Sequence, residues 1–67
     1  MISYQMKGHR EGENVHQWIY FSLGEKVISV QEVAKTYSPK ITKLLAEFYQ
    51  LIKGSGELEE IVWEGNL

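Results

Sequence analysis

Four residues near the start of the chain have side chains that bind metal ions in other proteins. They are His9, Glu11, Glu13 and His16. Imidazole nitrogens and carboxylate oxygens are common zinc ligands, but a zinc site needs a rigid scaffold that holds each ligand atom about 2 Å from the ion. Because these residues surround a polar, glycine-containing stretch, we expect a solvated turn here and no metal or other cofactor.

Evidence for catalysis is weak. His9, His16 and the late glutamates have no evident partner for acid–base work, and the serines lack a nucleophile-elbow context. The chain has no aspartate, no cysteine and no glycine-rich phosphate loop. We therefore predict that the protein is not an enzyme. The competing enzymatic hypothesis is a metal-dependent enzyme centred on His9 and His16.

An aromatic group of residues is better suited to binding another protein. His16, Trp18 and Tyr20 recur at every second position, so in a strand they share one face. Aromatic side chains dominate the energetics of many protein interfaces. Trp63 is a further candidate if its strand lies beside theirs. Two interpretations stay open, since these aromatics could equally be covered and belong to the core.

The acidic residues are concentrated late in the chain. All nine are glutamates, and no lysine or arginine follows Lys53. A net charge of −2 disfavours a strongly basic nucleic-acid footprint. We expect Glu59, Glu60 and Glu64 to steer association with a protein partner from the rim of the aromatic surface.

Alternating apolar and polar residues predict the strands that position these groups. The first strand starts at Ile2, the second covers residues 15–23, and residues 8–14 form a polar hairpin connection between them. Residues 26–28 could extend the strand region. Residues 57–64 predict a final strand, but their apolar residues do not alternate cleanly, so its buried face is undetermined.

Residues 38–54 predict a long amphipathic helix. Ser38 is the expected N-cap, Pro39 occupies the first helical position, and Gly54 is the expected left-handed stop. Its apolar stripe consists of Ile41, Leu44, Leu45, Phe48, Leu51 and Ile52.

A shorter helix is predicted before it. Ser29 and Glu32 fit a capping box, which starts a helix at Val30. Ser38 precedes Pro39, and a residue before proline is biased against helical geometry, so a break between the two helices is expected at Ser38. The alternative is one kinked helix over residues 30–53.

These elements give a single α+β domain, residues 1–67, with the order β-β-α-α-β. A small antiparallel sheet carries one long amphipathic helix packed on one face. A chain of 67 residues buries little, so we expect self-association as a homodimer to add stability. With no secretion signal and no membrane-length apolar run, a cytoplasmic location is expected.

The helical part resembles a helix-turn-helix reader, because VQEVAKTY is followed by SPKITKLLAEF. The residues typical of its turn are missing between Tyr37 and Ser38. The alternative function is therefore a nucleic-acid-binding transcriptional regulator. It would use the helical pair 30–53, with Lys40 and Lys43 facing phosphate.

In size, charge and element order, the chain resembles small bacteriophage proteins that bind and inhibit host enzymes, such as inhibitors of uracil-DNA glycosylase or RNA polymerase. The resemblance implies an inhibitor or regulator of a host protein and carries over no functional residue. The leading hypothesis is a small intracellular, non-enzymatic, homodimeric protein that binds a protein partner through an aromatic and acidic sheet surface.

Overall fold

The computed structural model describes residues Met1–Leu67 and contains five elements. They are β1 (Ser3–Glu11), β2 (Asn14–Leu23), β3 (Lys26–Ile28), α1 (Val30–Lys53) and β4 (Ile61–Asn66). The strands form one antiparallel sheet in the order β3-β2-β1-β4, and α1 packs on one face of it. The fold is α+β, but its order is β-β-β-α-β, so the predicted β-β-α-α-β order with a helical pair is wrong.

The additional strand, β3, follows a tight turn at Gly24 and Glu25. Gly24 has a φ of 62°, and Leu23 pairs directly with Lys26 across the turn. Glycine adopts a positive φ at no steric cost, which makes it the usual first central residue of such two-residue hairpin turns. A strand of three residues is too short to show a clear alternation, which is why its sequence does not predict a separate strand.

The helix α1 is continuous but kinked. Tyr37 alone departs from helical geometry, with φ −115° and ψ 19°, and the helix continues through Pro39. Val33 before the kink and Ile41 after it belong to one buried cluster with Phe21. Burial on both sides of the kink favours a single helix, so the kinked alternative over residues 30–53 is the arrangement found. No stretch of α1 is long and apolar enough to span a membrane.

The ends of α1 match the predicted caps only in part. Ser29 is the N-cap, and its Oγ accepts a hydrogen bond from the Glu32 backbone N–H at 3.2 Å, as the capping box predicts. Ser38 lies inside the helix and is not a cap. Gly54 ends the helix with φ −90° instead of the predicted left-handed conformation, and its N–H donates to the Gln50 carbonyl at 3.3 Å.

The polar connection predicted over residues 8–14 is mostly strand. Only Gly12 and Glu13 join β1 to β2, with Glu11 directly opposite Asn14. Gly12 has a φ of 61°, so this turn uses the same glycine geometry as the turn at Gly24. Both strands of the hairpin are consequently longer and more regular than the sequence indicates.

Gly8 marks the closest approach between the sheet and the end of α1. A Cβ atom at this position would clash with the Ile52 side chain and would lie 2.8 Å from the His16 carbonyl oxygen and 3.2 Å from the Phe48 ring. Met6, Phe48 and Ile52 form a fully buried cluster beside it. A residue without a side chain is therefore required for the helix to reach this part of the core.

The last strand, β4, begins at Ile61 and ends beyond the predicted range of 57–64. Its pairing with β1 shows which of its side chains project to each side of the sheet, and the sequence alone does not determine this. Ile61 and Trp63 project toward α1, whereas Val62 and Glu64 project to the opposite side.

Candidate functional site on the open sheet face

No element covers the sheet face opposite α1, which we call the open face. Residues paired across an antiparallel sheet project to the same side, so the register identifies its members. The open face consists of Ser3, Gln5, Lys7, His9 and Glu11 of β1, Asn14, His16, Trp18, Tyr20 and Ser22 of β2, Val27 of β3, and Val62, Glu64 and Asn66 of β4.

Large apolar side chains are exposed on this face. Trp18 is 47% exposed and Tyr20 is 52% exposed, as neighbours on the same side of β2. Lys7 lies opposite Trp18 on β1, and Val62 lies opposite Lys7 on β4, so these three side chains form one row across three strands. The alternation of β2 predicts this placement of Trp18 and Tyr20, and the structure leaves both in contact with solvent.

Polar side chains link β1 to β4 on the same face. The Gln5 amide Nε2 donates to Glu64 Oε1 at 2.7 Å, and the Ser3 hydroxyl donates to Asn66 Oδ1 at 3.0 Å. The Gln5 hydrogen bond holds the Glu64 carboxylate beside Gln5, which itself lies opposite Tyr20. A shallow groove of about 600 Å³ lies along this part of the sheet, with Tyr20 among its lining residues.

The two histidines meet at the hairpin end of the open face. His9 pairs directly with His16, and their rings stack with centroids 5.1 Å apart at 28°. The His9 ring also lies 5.8 Å from the Trp18 ring system. Ligand atoms of His9, Glu11 and His16 all lie within 4.8 Å of one another, whereas Glu13 in the turn is outside this group. Three of the four residues considered as metal ligands are thus brought together.

Trp63, the second tryptophan considered for partner binding, lies on the other side of the sheet. Its ring system contacts Phe48 with centroids 5.0 Å apart at 49°. It packs against the buried cluster that includes Met6 and Ile52. The sheet therefore separates Trp63 from Trp18, and the two do not form one surface.

Glu59 and Glu60 lie outside the sheet, in the connection between α1 and β4. Both are exposed. Arg10 anchors this connection, because its side-chain Nε donates to the Ser55 carbonyl at 3.1 Å and its own carbonyl accepts from the Leu58 N–H at 2.7 Å. The two glutamates are thus held near the hairpin end of β1, while Glu64 lies on the open face itself.

Lys7 and Val62 lie in one row with Trp18 on the open face, but the sequence pattern does not single them out. Extending the alternation of β1 past Gly8 would place Lys7, His9 and Glu11 on one side, but the glycine resembles the start of a loop. Val62 has apolar neighbours on both sides in the chain, so only the pairing with β1 assigns its face.

The open face thus combines an exposed aromatic area, a histidine and glutamate cluster, and a hydrogen-bonded polar area. Each is built on regular strands. A comparison of the chain with protein-family models, with curated proteins and with solved structures finds no significant match in any of the three.

Proposed function

We propose that this chain is a small, non-enzymatic protein-binding module whose open face docks on a protein partner. The observation that carries the proposal is the exposure of Trp18 and Tyr20 side by side on a sheet face that nothing covers. Burying a large apolar side chain contributes about 1.5–3 kcal/mol. Two adjacent aromatics on a rigid sheet are therefore suited to act as anchors of an interface.

The charges around the open face favour a partner with a basic surface. The open face carries two carboxylates, Glu11 and Glu64, and one lysine, Lys7. Glu59 and Glu60 lie in the anchored connection. Carboxylates beside exposed apolar groups are complementary to the positive surface of a protein that binds nucleic acid. By covering such a surface, the chain would act as an inhibitor or regulator of its partner.

The test is binding to a purified partner. A protein captured from the source cell is identified, purified and titrated with wild type and with Trp18→Ser. A central aromatic anchor is worth at least about 2 kcal/mol, so we expect its loss to weaken binding by about 30-fold or more. Tyr49→Ser is the matched control, because Tyr49 is 37% exposed on α1, away from the open face, and this variant should bind normally.

The same titrations identify the alternatives. Normal binding by Trp18→Ser would exclude the open face as the docking surface. A concentration-dependent dimer that Trp18→Ser abolishes would mean that a second copy occupies the face, in place of a different protein. Binding that instead requires Lys40 and Lys43, and weakens steeply with salt, would support the nucleic-acid alternative.

A further inference from the structure

We propose that His9, His16 and Glu11 bind a divalent transition-metal ion of the zinc type at the hairpin end of the open face. Two imidazole nitrogens and one carboxylate oxygen form a donor set that zinc accepts. The ligand atoms of these three residues already lie within 4.8 Å of one another. The proposal does not depend on protein docking, since Trp18 and Tyr20 contribute no ligand.

The strands supply the scaffold that such a site needs. His9 and His16 lie directly opposite each other on β1 and β2, and the turn that joins these strands contains only Gly12 and Glu13. Directly opposite residues in antiparallel strands have Cβ atoms about 4.5–5.5 Å apart. The stacked rings, with centroids 5.1 Å apart, already place both imidazoles on the same side of the hairpin.

Closing the site requires side-chain movement. Zinc–nitrogen distances of about 2.0–2.1 Å place tetrahedral ligand atoms roughly 3.3 Å apart, whereas the ligand atoms here lie within 4.8 Å of one another and the two rings are stacked. His16 and Glu11 are exposed, so their side chains have room to turn toward a shared ion, while His9 is half-buried. Three protein ligands leave the fourth zinc position to water. Because two donors are nitrogens, magnesium and calcium, which prefer oxygen ligands, should bind poorly.

The experiment is a zinc chloride titration of the untagged 67-residue chain followed by NMR of the imidazole resonances. His9 and His16 are the only histidines, so both signals can be assigned by single substitution. We expect both imidazoles to shift together and to saturate at one zinc per chain, with no shift in magnesium chloride. Unshifted imidazoles, or a shift of one imidazole alone at saturation, would overturn the proposal.

Two matched glutamate variants test the third ligand. Glu11→Gln should weaken zinc binding by at least about 10-fold, since even residues that only support a ligand contribute 10–100-fold. Glu13→Gln makes the same charge change in the adjacent turn and should alter affinity less than about 2-fold, because salt-screened exposed charges interact weakly. Equal weakening by both variants would mean general electrostatic attraction and would exclude the site. The resonances of Trp63, on the opposite face, report whether each variant is folded.

Discussion

At the scale of single residues, Gly8 sets the distance between α1 and the sheet. We predict that Gly8→Ala lowers the free energy of unfolding by about 1–3 kcal/mol, the usual cost of overpacking a core. The added methyl group would lie 2.8 Å from the His16 carbonyl oxygen, and backbone in a paired strand cannot move aside as a flexible side chain can. Urea unfolding followed by tryptophan fluorescence measures the change.

Gly54→Ala is the control for this prediction. A Cβ atom there would have its nearest neighbours at 3.8 and 3.9 Å, and the φ of −90° suits any residue. We expect unchanged stability or a gain of about 0.4–1 kcal/mol from the less flexible unfolded chain. If both variants lost stability equally, close packing at Gly8 would not be the cause.

The sequence predicts some open-face residues and not others. Alternation over residues 15–23 is regular, so it places His16, Trp18 and Tyr20 on one side, as the structure has them. Trp63 follows two apolar residues, so either side of its strand could be the buried one. Only pairing with a strand about sixty positions earlier in the chain assigns it to the α1 side, and a local pattern contains no such information.

At the scale of elements, the predicted helical pair and the observed single helix differ at Ser38, since both begin at Val30 after the Ser29 cap. We predict that Ser29→Ala costs about 1 kcal/mol, because it removes the hydroxyl that accepts from the Glu32 N–H at 3.2 Å. Ser38→Ala should be neutral or slightly stabilising, since Ser38 lies inside the helix and alanine has the higher helix propensity. Thermal unfolding followed by far-UV circular dichroism distinguishes them. The reverse order of costs would indicate a second helix that starts at Ser38.

Strong periodic signals predict the elements correctly, whereas local rules about their boundaries are overruled by packing. The apolar stripe identifies the second half of α1, and Ile41, Phe48 and Ile52 are indeed buried, whereas Leu51 of the same stripe is 41% exposed. The bias of a residue before proline against helical geometry is modest. Val33 and Ile41 belong to one buried cluster with Phe21, which favours continuity, so the helix runs on through Pro39 with a kink at Tyr37.

At the scale of the whole molecule, the two tryptophans report on opposite faces of one sheet. In single-tryptophan variants, we predict that acrylamide quenches Trp18, retained in Trp63→Phe, more steeply than Trp63, retained in Trp18→Phe. The reason is that Trp18 is 47% exposed whereas Trp63 packs on Phe48. Sedimentation at several concentrations provides the control for self-association. A monomer in which Trp18 is shielded would contradict the assignment of the open face.

The α+β class was predictable from the sequence because the strand and helix periodicities occupy separate stretches of the chain. The uncovered second face also follows from the sequence in part, since one amphipathic helix cannot cover both sides of a sheet. The arrangement of the metal-binding candidates was not predictable. It depends on strands that continue through Gly8 up to a two-residue turn, where composition alone indicates a loop.

The central position of β1 has a consequence for the order of folding. β1 pairs on one side with β2, which follows it directly, and on the other side with β4, where Ser3 lies opposite Asn66. Contacts between segments close in the chain form more readily than contacts between distant ones, so one edge of β1 keeps unpaired backbone groups until β4 docks. Unpaired strand edges readily add strands from other chains. β4 therefore acts as a late protective cover, and chains truncated before residue 61 would be the form most prone to aggregate.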